Sequence, residues 1–232
     1  MKVNILGINF DSVSLDEVMI KIEGMIKKGG FHQCGTINPE YVVKAQDSKQ
    51  LMRVIAKMDL VIPDGVGIVL AARLKNIGKL RRIRGGDLVE KVAALSAEKG
   101  YKLGLVGGEK GVAQKALGIL KKKYPGLQGF ADSEPRIEKI EKEKPQVLLT
   151  ALSFKGPVWI ESLRQKDFSL VGIEVGGVFN YLAGKSKFPP QIIQKIGLEW
   201  FWRLFWEPWR FKRQLSLLKF FFLVFSLDSQ KP

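Results

Sequence analysis

One cysteine, Cys34, stands in 232 residues, so no intramolecular disulfide can form and a reducing compartment is the natural expectation. His32 is the only histidine. With neither HxxxH nor CxxC spacing, a zinc site would have to lean on carboxylates, and no metal centre is expected. Long apolar runs are missing too: "KFFFLVFSL" falls far short of the roughly 20 residues that span a bilayer. The opening "MKVNILGINFDSVSLDEV" has too short an apolar run for a secretory leader and no A-x-A cleavage pattern, so an intracellular protein is expected. Acidic residues are scarce beside basic ones, 23 against 38, a net charge of +15. Such an excess attracts polyanions: nucleic acid, an anionic membrane surface or phosphorylated small molecules. Charge alone does not choose among them.

Strand and helix patterns alternate along the chain. "VNILGINF" reads as one strand. "SLDEVMIKIEGMIKK" reads as a helix, with Leu15, Val18, Met19, Ile22, Met25 and Ile26 at helical spacing and a Ser14/Glu17 capping box. "TINPEYVVKAQDSKQLMRVIAKM" predicts two helical pieces starting near Pro39 and Ser48. "DLVIP" is a compact buried strand, followed by a helix from about Gly65 to Lys75. "GGDLVEKVAALSAEKG" is a helix closed by Gly100. "YKLGLVGG" is a strand leading into the helix "EKGVAQKALGILKKKYPG", and "IEKIEKEK" is a mixed-charge stretch. The strand "QVLLTAL", a helix around "VWIESLRQK" and the strand "SLVGIEVGG" follow. The alternation predicts an α/β, Rossmann-like fold whose mainly parallel sheet carries helices on both faces, with ligands at the carboxyl ends of the strands.

Composition shifts after about residue 190. Four of the five tryptophans and seven of the fourteen phenylalanines lie beyond it. A core over 1–190 and a C-terminal helical, amphipathic appendage over 191–232 are expected. Before Pro208, Glu199, Arg203 and Glu207 form a narrow polar stripe, with Leu198, Phe201, Trp202, Phe205 and Trp206 around the remaining circumference. After it, Phe211, Leu215, Leu218, Phe222 and Phe225 make an apolar stripe beside Arg210, Lys212, Arg213 and Lys219. Tryptophan favours the lipid headgroup level and basic residues favour anionic lipid, so an interfacial attachment fits; burial in a core or a subunit interface fits as well. Nucleic acid is not expected, because the basic residues elsewhere are scattered and a continuous apolar face is not what wet, polar nucleic-acid interfaces need.

Three loops at predicted strand ends could carry chemistry. "GTINPE" holds Thr36 and Asn38, which are either capping residues ahead of Pro39 or polar groups for a substrate. "PDGVG" holds Asp64, which is either the N-cap of the next helix or a base; a carboxylate saturated by backbone donors would be a poor one. "VGGEKG" follows Gly104 on its strand, and Gly107 and Gly108 could turn N–H groups toward a diphosphate or simply make a tight turn. The glycine fingerprint of dinucleotide oxidoreductases is incomplete here, which weighs against that class. Arg82 and Arg84, flanking Ile83, suit phosphate binding or a solvated basic loop.

Taken in order, "TINPEYVV", "DLVIPDGVGIVLAARL", "RIRGGDL", "LGLVGGEKGVAQKAL", "VGGVFNYLAGKSKFPP" and "GLEWFWRLFWEPWRFKRQL" resemble the TagA/WecG/CpsF glycosyltransferases over about residues 3–219. The resemblance implies an inverting transfer of N-acetylmannosamine, or a related sugar, from a UDP donor to polyprenyl-diphosphate-linked N-acetylglucosamine in cell-wall or surface polysaccharide synthesis. It implies Asp64 as general base and Thr36 and Asn38 in the same pocket. It also implies Arg82 and the loop of Lys155 around the donor, where the 104–108 loop would join them on its own glycine-rich turn, and Arg210 and Arg213 on the acceptor's lipid diphosphate. Members are peripheral membrane proteins, so a place at the inner face of the cell membrane follows, and they can form homo-oligomers. They do not rely on a D-x-D metal motif, and this chain has none; no cofactor beyond the UDP-sugar itself is expected.

One segment departs from the family pattern. Where the family reads approximately G-L-G-x-P-K-Q-E-x-W-I, this chain has "TALSFKGPVWI": Lys155, Trp159 and Ile160 remain, but Gly156 and Pro157 stand at the Gln and Glu positions. Either donor recognition differs, or the chain is a catalytically decayed, membrane-associated sugar-nucleotide-binding protein.

Overall fold

The chain opens on a hairpin where the apolar pattern predicts one continuous strand. β1 (Lys2–Ile5) and β2 (Ile8–Asp11) pair antiparallel, Ile5 opposite Ile8. Between them Leu6 and Gly7 both have positive φ, the geometry of a two-residue type I′ turn. The computed structural model describes residues 1–187, 189–190, 193, 199–207 and 211–226, without the side chains of 200, 203 and 212–214.

α1 (Leu15–Lys28) begins at the expected capping box: Ser14 Oγ accepts from the Glu17 N–H, and Glu17 Oε2 accepts from the Ser14 N–H at 2.6 Å. Then come β3 (Phe31–Ile37), α2 (Pro39–Gln46), α3 (Lys49–Ala56), β4 (Leu60–Pro63), α4 (Val66–Leu74), α5 (Gly85–Lys99), β5 (Leu103–Gly107) and α6 (Val112–Lys123). α2 and α3 are the two helical pieces predicted near Pro39 and Ser48, and Gly100 closes α5 in the left-handed conformation.

β6 (Gly129–Asp132) and α7 (Ile137–Glu143) are an addition to the sequence reading. β6 is four residues long, and Ile140 is the buried side chain of α7, so the charge pattern of "IEKIEKE" hides the helix. β7 (Val147–Ala151), α8 (Lys155–Ser162), a 3-10 turn (Leu163–Gln165), β8 (Leu170–Glu174), α9 (Val178–Leu182), α10 (Glu199–Trp206) and α11 (Phe211–Ser226) follow.

Six strands form one sheet in the order β4-β3-β8-β7-β5-β6, every neighbouring pair parallel. Alternation along the strands splits the core. Cys34, Leu60, Ile62, Leu105, Leu149 and Ile173 face α1, α5, α6 and α9 on one side. The hairpin, α2, α3 and α4 cover part of the other side, and Leu148 and Val106 meet Phe130, Ile140 and Leu163 on the rest. The fold is therefore the expected Rossmann-like α/β sheet with helices on both faces. Cys34 is fully buried, and burial pushes its thiol well above the ordinary range, so it packs as a small protonated hydrophobe.

α11 lies across α2 and α4. Phe220 and Val224 are buried in the same cluster as Ile37, Tyr41 and Ile68, and Lys219 Nζ reaches Asp47 at 3.0 Å. The stripe read from the sequence, Phe211, Leu215, Leu218, Phe222 and Phe225, is the exposed face of that helix. Among the described residues, no helix is long and apolar enough to cross a membrane.

Candidate active site

A cleft of about 820 Å³ opens where the parallel strands end, the position in which open α/β sheets hold ligands. Register brings its first wall together. Thr36 pairs with Ile62 and Ile37 with Pro63, and the Asp64 N–H continues the ladder by donating to the Ile37 carbonyl at 3.0 Å. Asn38 and Asp64 thus leave adjacent strands side by side, and both line the cleft. Asp64 is partly exposed there and is not the N-cap of α4: that position is Gly65, whose φ of 83° suits glycine and which has no side chain to offer the helix.

Asn38 does cap. Its Oδ1 accepts from the Tyr41 N–H at 3.1 Å, and Pro39 fills the first helical position. Only the amide end of Asn38 remains as a donor toward a ligand. Thr36 is 2% exposed, and its hydroxyl donates to the Glu174 carbonyl at 3.2 Å, which fastens the end of β3 to β8. Thr36 thus lines the cleft while its hydroxyl proton is engaged inside the protein.

Arg82 and Arg84 are brought to the same strand end by the residue between them: the Ile83 N–H donates to the Pro63 carbonyl at 3.0 Å, and the Ile83 side chain is buried. Arg84 grips Asp87 through two bonds of 2.7 and 2.8 Å. Arg82 pairs with Glu199 of α10, so the C-terminal segment reaches over the cleft, where Glu199, Ser216 and Leu217 join the lining. At the far edge Lys123 meets Glu90 at 2.7 Å. The basic groups of the cleft wall therefore each carry a carboxylate partner, and an incoming phosphate would have to compete with it. Arg82→Gln is expected to weaken binding of a nucleotide diphosphate by about tenfold or more, the worth of a charge-assisted bond. Glu199→Gln is expected to strengthen it; calorimetry with UDP checks both.

Of the other expected donor contacts, Gly108 alone is among the lining residues. Gly104 is in mid-strand on β5, where a Cβ would meet Leu148 and Phe130 at 2.8 to 2.9 Å, so its smallness serves the core. Gly107 backs onto Ala151 and Leu152, and the Gly108 N–H donates to the Ala151 carbonyl at 3.1 Å; Gly108 lines the cleft, but that N–H is turned into the sheet. Lys155 opens α8, exposed and outside the lining residues. Arg210 and the Arg213 side chain lie outside the described residues.

Sequence reasoning missed two groups. Asn180 on α9 lines the cleft, and among the described residues no hydrogen-bond partner reaches its buried Oδ1. A lone amide in the otherwise apolar "VFNYL" was the available signal. The second is Glu174, fully buried at the end of β8, whose carboxyl is pushed up to about 7 chiefly by desolvation, against the pull of bonds from Thr150, Gly176, Tyr41 and Leu152. It also explains the glycine at 156, since a Cβ there would overlap Glu174 Oε2. The glycine of that departure thus has a cause in packing, and nothing in the structure explains Pro157. Among the described residues no three His, Cys, Asp or Glu side chains gather as a metal-ligand set.

An open parallel sheet with a polar cleft along its carboxyl edge, lined by Asp64, Arg82 and Arg84 among others, is the architecture of an α/β protein with a ligand site at its strand ends. The chain matches the sequence model of the glycosyl transferase WecG/TagA/CpsF family over residues 3–231 and belongs to that family. It is a glycosyltransferase. It is 28% identical over 204 residues to the N-acetylglucosaminyldiphosphoundecaprenol N-acetyl-beta-D-mannosaminyltransferase of Bacillus subtilis (strain 168), covering 84% of this chain and 80% of that protein. The protein of the same name from Staphylococcus aureus (strain MRSA252) is 26% identical over 233 residues, covering 96% of this chain and 92% of its own length.

Proposed function

We propose that the protein transfers N-acetylmannosamine, or a closely related sugar, from UDP to polyprenyl-diphosphate-linked N-acetylglucosamine, inverting the anomeric carbon, in teichoic-acid or related cell-wall polysaccharide synthesis. The observation that supports this most is Asp64 on the wall of the strand-end cleft, at a position that is not the helix N-cap, in a lining it shares with Asn38 and Arg82. In this reading the Asp64 carboxylate takes the proton of the acceptor hydroxyl while that oxygen bonds to the donor's anomeric carbon. The bond from this carbon to the diphosphate oxygen breaks, and UDP leaves with the electron pair as an anion, so no second carboxylate is needed as an acid. Arg82 exchanges Glu199 for a donor phosphate and stabilises the charge that develops there. The Asn38 amide and Asn180 Oδ1 orient the sugars, and Thr36 holds the wall. Arg210 and Arg213 meet the acceptor diphosphate. Arg82, rather than a metal, neutralises the leaving group.

Calorimetry with a panel of UDP-sugars tests the donor side. Binding of UDP-N-acetylmannosamine well above UDP-glucose is the expected result, and a chain that binds none of the panel contradicts it.

The acceptor is a lipid, and the exposed stripe on α11, with Phe201, Phe205 and Trp206 of α10, supplies an apolar face beside a strongly basic chain. We read it as a peripheral contact with the inner face of the cell membrane. Cutting the chain near 190 would strip Phe220 and Val224 from the core, so point substitutions are the better probe. Leu218→Glu with Phe222→Glu is expected to lower partition onto phosphatidylglycerol vesicles by at least about tenfold at unchanged thermal midpoint. Unchanged partition would contradict the membrane contact, and sedimentation then tests whether the stripe meets a second copy of the chain.

A further inference from the structure

Beneath the cleft floor lies one carboxyl that does not itself line it. Glu174 accepts from Thr150 Oγ1 at 2.5 Å, the Gly176 N–H at 3.0 Å, Tyr41 OH at 3.1 Å and the Leu152 N–H at 3.5 Å. Its backbone carbonyl accepts from Thr36 Oγ1. Of these partners, Thr36, Tyr41, Leu152 and Gly176 line the cleft. They come from β3, α2, the β7–α8 turn and the β8–α9 turn, so a single residue fixes four wall segments relative to one another.

Room for that carboxyl comes from α8. A Cβ built on Gly156 would stand 1.8 Å from Glu174 Oε2 and 2.6 Å from its Cδ, inside any non-bonded contact distance. Glycine is a poor helix former, so local preference does not account for Gly156. Nor does burial account for Glu174, since desolvation disfavours a carboxylate unless donors surround it. Each residue makes sense only in the presence of the other.

We propose that Glu174 is the positioning residue of the cleft wall and that positions 156 and 174 form a reciprocal pair: a side chain at one excludes a side chain at the other, and the one present supplies the acceptor that fastens Tyr41, Leu152 and Gly176. What the wall holds rests on the nucleotide-sugar reading above; the pairing rests on packing alone.

The test uses the full chain as wild type, Glu174→Gln, Glu174→Gly, Gly156→Gln and the Glu174→Gly/Gly156→Gln double variant. Thermal midpoint, UDP affinity by calorimetry, and donor KM and kcat are measured on each. Gly156→Gln alone is expected to lower the midpoint by roughly 5 °C or more through overpacking. Glu174→Gly is expected to weaken UDP by about tenfold, because the wall donors lose their acceptor, and to raise donor KM more than it lowers kcat. The double variant regains most of both losses, since it moves a polar side chain from β8 to α8. Glu174→Gln keeps shape and an acceptor oxygen and stays within about threefold of wild type in affinity. If Gly156→Gln does not fold, Gly156→Ala, which adds only the clashing Cβ, gives the same comparison. A Gly156 variant as stable as wild type, or a double variant no better than the sum of its parts, overturns the pairing. Glu174→Gly that loses stability yet binds UDP like wild type overturns the positioning role. A wild type that binds no UDP overturns the functional reading instead, and the midpoint cycle still decides the pair.

Discussion

Asp64→Asn is expected to cut kcat by about 10²- to 10⁴-fold, the usual worth of a positioned general base, while UDP affinity stays within about twofold because no donor contact is assigned to that carboxylate. The substitution keeps the shape of the side chain and the strand-end position set by the ladder bond from the Asp64 N–H to Ile37. α4 does not depend on it for a cap, since Gly65 occupies that position. A fall in activity therefore reads chemistry rather than folding, and an unchanged thermal midpoint in the same preparation checks this. An Asp64→Asn protein that turns over like wild type would remove the residue from its role.

The second large effect is on stability and has a definite sign. Glu174 titrates near 7 in the folded chain, against 4.5 as its ordinary value. Below about pH 4.5 the carboxyl is protonated in both states, and its contribution to stability is fully present. Between about 4.5 and 7 the unfolded chain gives up the proton while the folded chain keeps it, so unfolding is favoured progressively. Above 7 the loss is complete, on the order of 3 kcal/mol. Glu174→Gln has no such proton, so the wild-type stability minus that of the variant should fall by that order between pH 4.5 and 8 and then level off. Urea unfolding of both proteins at several pH values measures it. Glu17, Glu23 and Glu143 have lowered pKa values and push the other way, but they are exposed, shared by both proteins, and cancel in the difference. Parallel curves for the two proteins would show that the Glu174 carboxyl is not desolvated as the fold requires.

The two acids show how far local rules reach. What lies within a turn or a helix period was legible: the Ser14/Glu17 box, the Asn38 cap before Pro39, Gly100 at the end of α5, and the alternation that implies a parallel sheet. Asp64 looks like a cap because the pattern predicts the helix from about Gly65; the positive φ of Gly65, invisible in sequence, moves the cap one place on. Leu6 at positive φ gave no sign of the hairpin turn. The contacts that shape the cleft join residues far apart in the chain, Arg82 with Glu199 and Thr36 with Glu174, and no periodicity records them. The C-terminal helix failed differently. Its apolar residues surround most of the axis, so sequence alone could not say that Phe220 and Val224 turn inward while the predicted stripe turns out.

Incubated with UDP-N-acetylmannosamine and a soluble polyprenyl-diphosphate N-acetylglucosamine analogue, the wild-type chain should yield UDP and a lipid-linked disaccharide of inverted anomeric configuration, resolved by mass spectrometry and NMR. Hydrolysis of the donor without disaccharide, or a disaccharide of retained configuration, would contradict a base that activates the acceptor hydroxyl for a single displacement.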